Sequence, residues 1–130
     1  ILSWAADNID SGPIGVSTSV DVDGLKITQS KMGRQGAANL ADRILGEVAS
    51  GLHILGVRKF VVAGGETSGQ VISALGVKQL AVAGFDELSG GYCHQAGTEP
   101  TSFVLKGGAI PKDDFFFIAI GRMREADMLG

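Results

Sequence analysis

The sequence predicts an α/β fold: a mainly parallel sheet flanked by helices as a three-layer sandwich, in a single domain over residues 1–130. Three observations predict it. Short apolar runs at residues 59–63, 79–83 and 102–106 are too apolar for half-exposed strands and suit strands buried on both faces. Each run ends in glycine, at Gly64-Gly65, Gly84 and Gly107-Gly108. Segments with helical apolar spacing alternate with these runs, which implies parallel strands joined by helices.

The first 32 residues are the least regular. Ile1-Leu2-Ser3-Trp4-Ala5-Ala6 reads as a strand already under way, and a start at Ile1 rather than Met fits a piece of a longer protein. Asp10-Ser11-Gly12-Pro13 is a loop signal. Alternation over 16–22, a tight turn at Asp23-Gly24 and renewed alternation over 25–28 read as a β-hairpin. From 35 to 55, Leu40, Ile44, Leu45, Val48, Leu52 and Leu55 fall on one helical stripe, stopped by Gly56. The strand at 59–63 leads to a short helix at 67–75, stopped by Gly76, and then to the strand at 79–83. A long glycine-rich loop covers 85–100. After the strand at 102–106, a last helix runs from 114 to 128. Asp113 or Asp114 caps it, and Phe116, Ile120, Met123 and Phe117 supply its buried face.

Composition narrows the function. Hydrophobic residues make up 45% and charged residues 19%, a globular balance. A chain of this length buries roughly two-thirds of its unfolded surface, enough for a core. Eleven Lys and Arg against 14 Asp and Glu give −3 with no basic stripe, so no nucleic-acid partner is expected. Twenty of 130 residues are glycine, roughly twice the usual share of about 7%, and they are spread among apolar runs. Cys93 stands alone, which fits a reducing, cytoplasmic compartment, and no apolar run reaches the ~18 residues of a membrane span.

The segment Val61-Val62-Ala63-Gly64-Gly65-Glu66-Thr67-Ser68-Gly69-Gln70 carries the strongest hint of function. A strand runs into a glycine pair, then hydroxyl residues, then a helix. Unpaired N–H groups and partial positive charge at the helix start, with close backbone approach at the glycines, make an anion site. Thr67 and Ser68 would add hydroxyl donors. The plainer reading is a structural junction with Thr67 as N-cap. The string is not a P-loop, because Gln70-Val71 stands where Lys and Ser/Thr belong. It is not a dinucleotide fingerprint, because Glu66 occupies a required glycine position, although Asp86 after the second strand is placed to meet a ribose.

Phe60 to Gly69, then Leu75-Gly76-Val77, then Leu105-Lys106-Gly107-Gly108 before Asp114-Phe115-Phe116, resembles the C-terminal domain of the four-carbon acid sugar kinases, which act on 3-oxo-tetronate, threonate or erythronate. Gly-Gly-Glu-Thr-Ser-Gly is the specific part. The resemblance implies ATP with Mg2+ as cofactors. It implies nucleotide roles for Gly64, Gly65, Glu66 and Thr67, and for Gly107 or Gly108; Ser68, as a hydroxyl donor, and Lys106, as a strand-end charge, join the candidate site from the reading of the residues themselves. Glu66 would order Mg2+ through water or accept from a ribose hydroxyl, or simply accept turn amides. Lys106 would meet phosphate or remain solvated. The family's Lys-Ser-Gly-Asn-Phe-Gly stretch reads Lys106-Gly107-Gly108-Ala109-Ile110-Pro111 here, and its Gly-Val-Pro reads Gly90-Gly91-Tyr92.

The resemblance further implies that the sugar acid and the base lie in an N-terminal domain missing from this chain, so the chain alone is inactive and no catalytic residue is assigned. A homo-oligomer is compatible with it. The alternative is a non-catalytic α/β module for a dinucleotide or small molecule. Elsewhere, His53 reads as structural, and Cys93-His94 as loop with no metal site. Trp4, Tyr92 and Phe115-Phe116-Phe117 read as core or as surface against the missing half.

Overall fold

A computed structural model describes residues 1–18, 34–86, 90–96, 99–107 and 113–129. The elements are α1 (Leu2–Asn8), a 3-10 turn (Ile9–Ser11), α2 (Arg34–Ile54), β1 (Lys59–Ala63), α3 (Gly65–Ala74), β2 (Ala81–Asp86), β3 (Gly90–Gln95), β4 (Thr101–Lys106) and α4 (Phe115–Leu129). The four strands form one sheet in the order β1-β4-β3-β2.

The α/β single-domain architecture is the expected one, but the sheet is mixed. β1 and β4 pair in parallel, while β3 pairs antiparallel with both β4 and β2. β1, β2 and β4 therefore all run the same way, and β3 is inserted in reverse between β2 and β4. The expected loop at 85–100 contains this strand, and β2 begins two residues later than its apolar run suggested.

Helices cover both faces, giving three layers. On one face, Phe60 and Val62 of β1 and Phe103 of β4 pack with Val48, Ala49 and Leu52 of α2, Val71 of α3 and Ala5 of α1. On the other, Val104 packs with Phe115, Ala119 and Met123 of α4, joined by Val61 and Ala63. Neighbouring strand residues thus point into different cores, as the period of 2 requires. Phe60 and Phe103 face each other with centroids 5.8 Å apart.

Three local expectations are corrected. The chain start is the helix α1, anchored by the fully buried Ala5, rather than a strand. The buried stripe of α4 is Phe115, Ala119 and Met123, while Phe116 and Phe117 are exposed; of the expected face only Met123 is buried. Of the expected stripe, Leu40 and Ile44 on α2 and Leu55 just beyond it reach the surface, and burial concentrates at Val48, Ala49 and Leu52. The hairpin expected within 16–28 falls mostly outside the described residues.

The turn after α2 is held by Arg58. Its guanidinium donates to the carbonyls of His53 at 2.7 Å and Val57 at 2.8 Å, satisfying acceptors at the helix end. It also lies 3.6 Å from Glu99, at the foot of β4.

Candidate functional site

The parallel pairing of β1 with β4 sets Ala63 opposite Lys106, and the Gly64 N–H donates to the Lys106 carbonyl at 2.7 Å. Two glycine junctions, 40-odd residues apart in sequence, are thereby stitched together at one edge of the sheet. Gly64, Gly65, Lys106 and Gly107 meet there; Gly108 lies outside the described residues. α3 leaves β1 onto one face of the sheet, and α4 follows β4 on the other. Adjacent parallel strands whose connections part to opposite faces open a crevice at their carboxyl ends, where open α/β sheets bind ligands. The carboxyl end of β2, at Asp86, lies at this same edge.

The two glycines of the β1–α3 junction do different work. Gly64 is the N-cap residue, with φ 109° and ψ 130°. That backbone is strained for any L side chain, and a Cβ there would come within 3.3 Å of Thr67 Oγ1. Gly65 opens α3, is exposed, has no positive φ, and a Cβ on it would meet nothing within 4 Å. Ser68 is the first residue whose N–H finds a helical acceptor, Gly64 O at 2.9 Å. The amides of Gly65, Glu66 and Thr67 are thus the donors that the helix leaves without intrahelical partners. Together with the positive end of the helix dipole they favour an anion.

The hydroxyls behave differently from expectation. Thr67 does not cap the helix; its Oγ1 donates to Asp42 Oδ1 at 2.8 Å. Ser68 Oγ donates to Gly64 O at 2.7 Å. Both protons are spent inside the protein, so these side chains offer only lone pairs outward. Positive charge comes from Lys106, half-buried at the strand end, whose Nζ donates to Gly107 O at 2.7 Å and so stays beside the glycine turn. Glu66 is exposed in the first turn of α3.

The remaining singled-out residues lie elsewhere. Thr101, 1% exposed, donates its hydroxyl proton to Glu99 O at 3.0 Å. The His53 Nε2 at 3.2 Å must therefore be the donor in their bond, and His53 also stacks on Phe60, a structural role as expected. Cys93 and His94 stand in β3 rather than in a loop, on alternate faces, with His94 Nδ1 3.1 Å from Ser102 Oγ. Burial pushes the Cys93 thiol pKa up. Among the described residues no group of three or more His, Cys, Asp or Glu is placed to hold a metal. A cavity of about 690 Å³ lined by Gly76, Lys78, Leu80 and His94 opens at the opposite end of the strands, away from the glycine junctions. Being lined by no strand-end glycine or helix start, it lacks the anion-binding elements found at the other edge. No described helix is long and apolar enough to cross a membrane.

Asp42 was not visible as a site residue in the sequence. The available signal was its spacing: Asp42 and Gly46 are four apart on one face of α2, and a Cβ on Gly46 would lie 3.3 Å from the Gln70 carbonyl oxygen. That face of α2 sits directly against α3.

Residues 1–116 match the family described as nucleotide-binding C-terminal domain. The chain is 41% identical over 104 residues to a 3-oxo-tetronate kinase of Burkholderia multivorans, covering 80% of the chain and 24% of that protein. It is 34% identical over 125 residues to a 3-oxo-tetronate kinase of Methylobacterium radiotolerans, covering 94% and 29%. The fold matches the crystal structure of Haemophilus influenzae protein HI1011 with TM-score 0.67 and 26% identity, over 92% of this chain and 30% of that one. The chain therefore spans less than a third of the length of these relatives. It belongs to the four-carbon acid sugar kinase family, as its C-terminal nucleotide-binding domain.

Proposed function

We propose that this domain binds ATP at the edge formed by Gly64–Thr67 and Lys106–Gly107, and serves as the nucleotide-holding part of a kinase for a four-carbon sugar acid of the 3-oxo-tetronate, threonate or erythronate type. The observation that supports this most is the Gly64 N–H to Lys106 O bond of 2.7 Å, which joins both glycine junctions at the start of α3. Phosphoryl transfer needs positioning and charge stabilisation more than covalent chemistry. The amides of Gly65, Glu66 and Thr67 would donate to phosphate oxygens, and the Lys106 ammonium would add a point charge. Oxygen donors suit Mg2+, and Glu66 with Thr67 Oγ1 supplies them; bound there, the ion would offset phosphate charge. The sugar acid and the base that takes its proton would come from the rest of a longer protein, so this chain alone would bind nucleotide and not turn over.

The test is a thermal-shift and calorimetric series on the chain with ATP, NAD and inorganic phosphate. ATP at 100 times its dissociation constant is expected to stabilise by about 2.7 kcal/mol. Stabilisation by NAD and not by ATP would replace this reading with a dinucleotide-binding module. ADP formation dependent on a sugar acid, from the chain alone, would contradict the division of labour.

A further inference from the structure

The α2 carboxylate behind the glycine turn has a role that the strand-end residues do not explain. Thr67 is the third residue of α3, and its hydroxyl proton goes to Asp42 Oδ1 at 2.8 Å. Both side chains are half-buried. A hydroxyl has one proton to donate, and a carboxylate can only accept. The Asp42 carboxylate therefore fixes the polarity of Thr67: its oxygen faces the turn as an acceptor. The same oxygen lies where a Cβ on Gly64 would approach it at 3.3 Å, so it sits against the positive-φ backbone of the N-cap glycine. The close approach of α2 to α3 at Gly46 keeps Asp42 within reach.

We propose that Asp42 is a positioning residue of the nucleotide site: by taking the Thr67 proton it holds the first turn of α3 in the conformation that aims its free amides at phosphate, and presents Thr67 Oγ1 as an acceptor to the ATP-bound cation or to a ribose hydroxyl. The proposal rests on the nucleotide reading above. Gly64 holds the N-cap position, and Thr67, three residues further on, is left to reach across to α2.

ATP affinity of the chain is measured by calorimetry in the presence of Mg2+, alongside melting temperature, for Asp42→Ala, Asp42→Asn, Thr67→Val, Thr67→Ser and the Asp42→Ala/Thr67→Val pair. Loss of a hydrogen bond to a charged group predicts ATP binding on the order of tenfold weaker for Asp42→Ala and for Thr67→Val. The double variant is expected to be no weaker than either single one, because the two act as a unit. Thr67→Ser, which keeps the hydroxyl, should bind within about twofold of the parent chain. Asp42→Asn keeps volume and one acceptor oxygen, so it should fold even where Asp42→Ala does not, with a smaller loss in the same direction. Additive losses, or lower melting temperatures with unchanged ATP affinity, would overturn the proposal. If the parent chain itself binds no ATP, the nucleotide reading falls and this role falls with it. If the parent binds and all five variants bind equally well, only the role of Asp42 falls.

Discussion

Gly64 and Gly65 are adjacent, yet the structure predicts opposite consequences for adding a methyl group to each. Gly64 has φ 109°, in the region where L residues are strained, and its new Cβ would sit 3.3 Å from Thr67 Oγ1. Backbone strain of this kind costs about 1–3 kcal/mol. The crowded atom cannot swing away freely, because Asp42 holds it. Gly64→Ala is therefore expected to destabilise by about 2 kcal/mol, roughly 8 °C in melting temperature for a domain of this size. Gly65 has no positive φ and a Cβ there meets no protein atom within 4 Å. Gly65→Ala should leave the fold intact or stabilise it by about 0.4–1 kcal/mol, by restricting the unfolded chain. On the proposed nucleotide reading, the space its methyl enters is the space a phosphate would need beside the Gly65 and Glu66 amides. Loss of one charge-assisted bond there predicts ATP binding weaker by about tenfold or more. Urea melts and ATP titrations on both variants read the two effects separately. If Gly64→Ala melts like the parent, the N-cap geometry is not what fixes this turn. If Gly65→Ala is stable and binds ATP normally, the open side of the loop is not the phosphate side.

Three further outcomes follow from the packing. Phe103, 1% exposed and stacked on Phe60, joins β4 to the α2 face, so Phe103→Ala should cost about 3–5 kcal/mol in urea melts. Thr101→Val keeps shape but strips Glu99 O and His53 of their shared partner, and should cost about 1–3 kcal/mol by the same measurement. Burial raises the Cys93 pKa, so the folded thiol stays protonated to higher pH than the unfolded one. Alkylation near the ordinary thiol pKa of about 8.5 should be slower in the folded chain than in denaturant. The sign for stability follows: the contribution is present below the unfolded pKa and is lost as pH rises through the folded one.

What was legible in the sequence was whatever is decided locally. The 35–55 stripe foretold α2 to within a residue at either end, and β1 lies where its β-branched run stands. The strand-end glycines were legible because a sharp strand-to-helix turn needs them whatever surrounds it. Features decided by distant partners were not. β3 carries Gly90, Gly91, His94 and Gln95, a poor strand by composition, and exists because β2 and β4 each offer it a ladder. α1 has seven residues and no side-chain cap, so little in its own sequence specifies a helix; Ala5 in the core holds it. Three consecutive phenylalanines gave α4 no phase, and the small Ala119 between Phe115 and Met123 selected it. Asp42 meets Thr67 across 25 residues of sequence, and its spacing from Gly46 marks a face of α2 without naming that partner.

The position of the site follows from the two-faced character of its strands. In β1, Phe60 and Val62 turn one way and Val61 and Ala63 the other, and both sets are covered. In β4, Phe103 and Val104 divide likewise. A strand with one polar face would have left one side to water and drawn every helix to the other. Because both faces are apolar, α3 can pack through Val71 on one side and α4 through Phe115, Ala119 and Met123 on the other. Where connections part in this way, open α/β sheets have their ligand crevice at the carboxyl ends of the strands, which here are the ends of β1 and β4. The glycines then decide what that opening can hold. With no side chain on Gly65 or Gly107, the surface facing the crevice is backbone, and at the head of α3 it is rich in N–H donors. Reversing β3 does not disturb this, because β3 pairs with the side of β4 away from β1 and the β1–β4 pair stays parallel. The reversed strand thus leaves the β1–β4 crevice as a fully parallel sheet would form it.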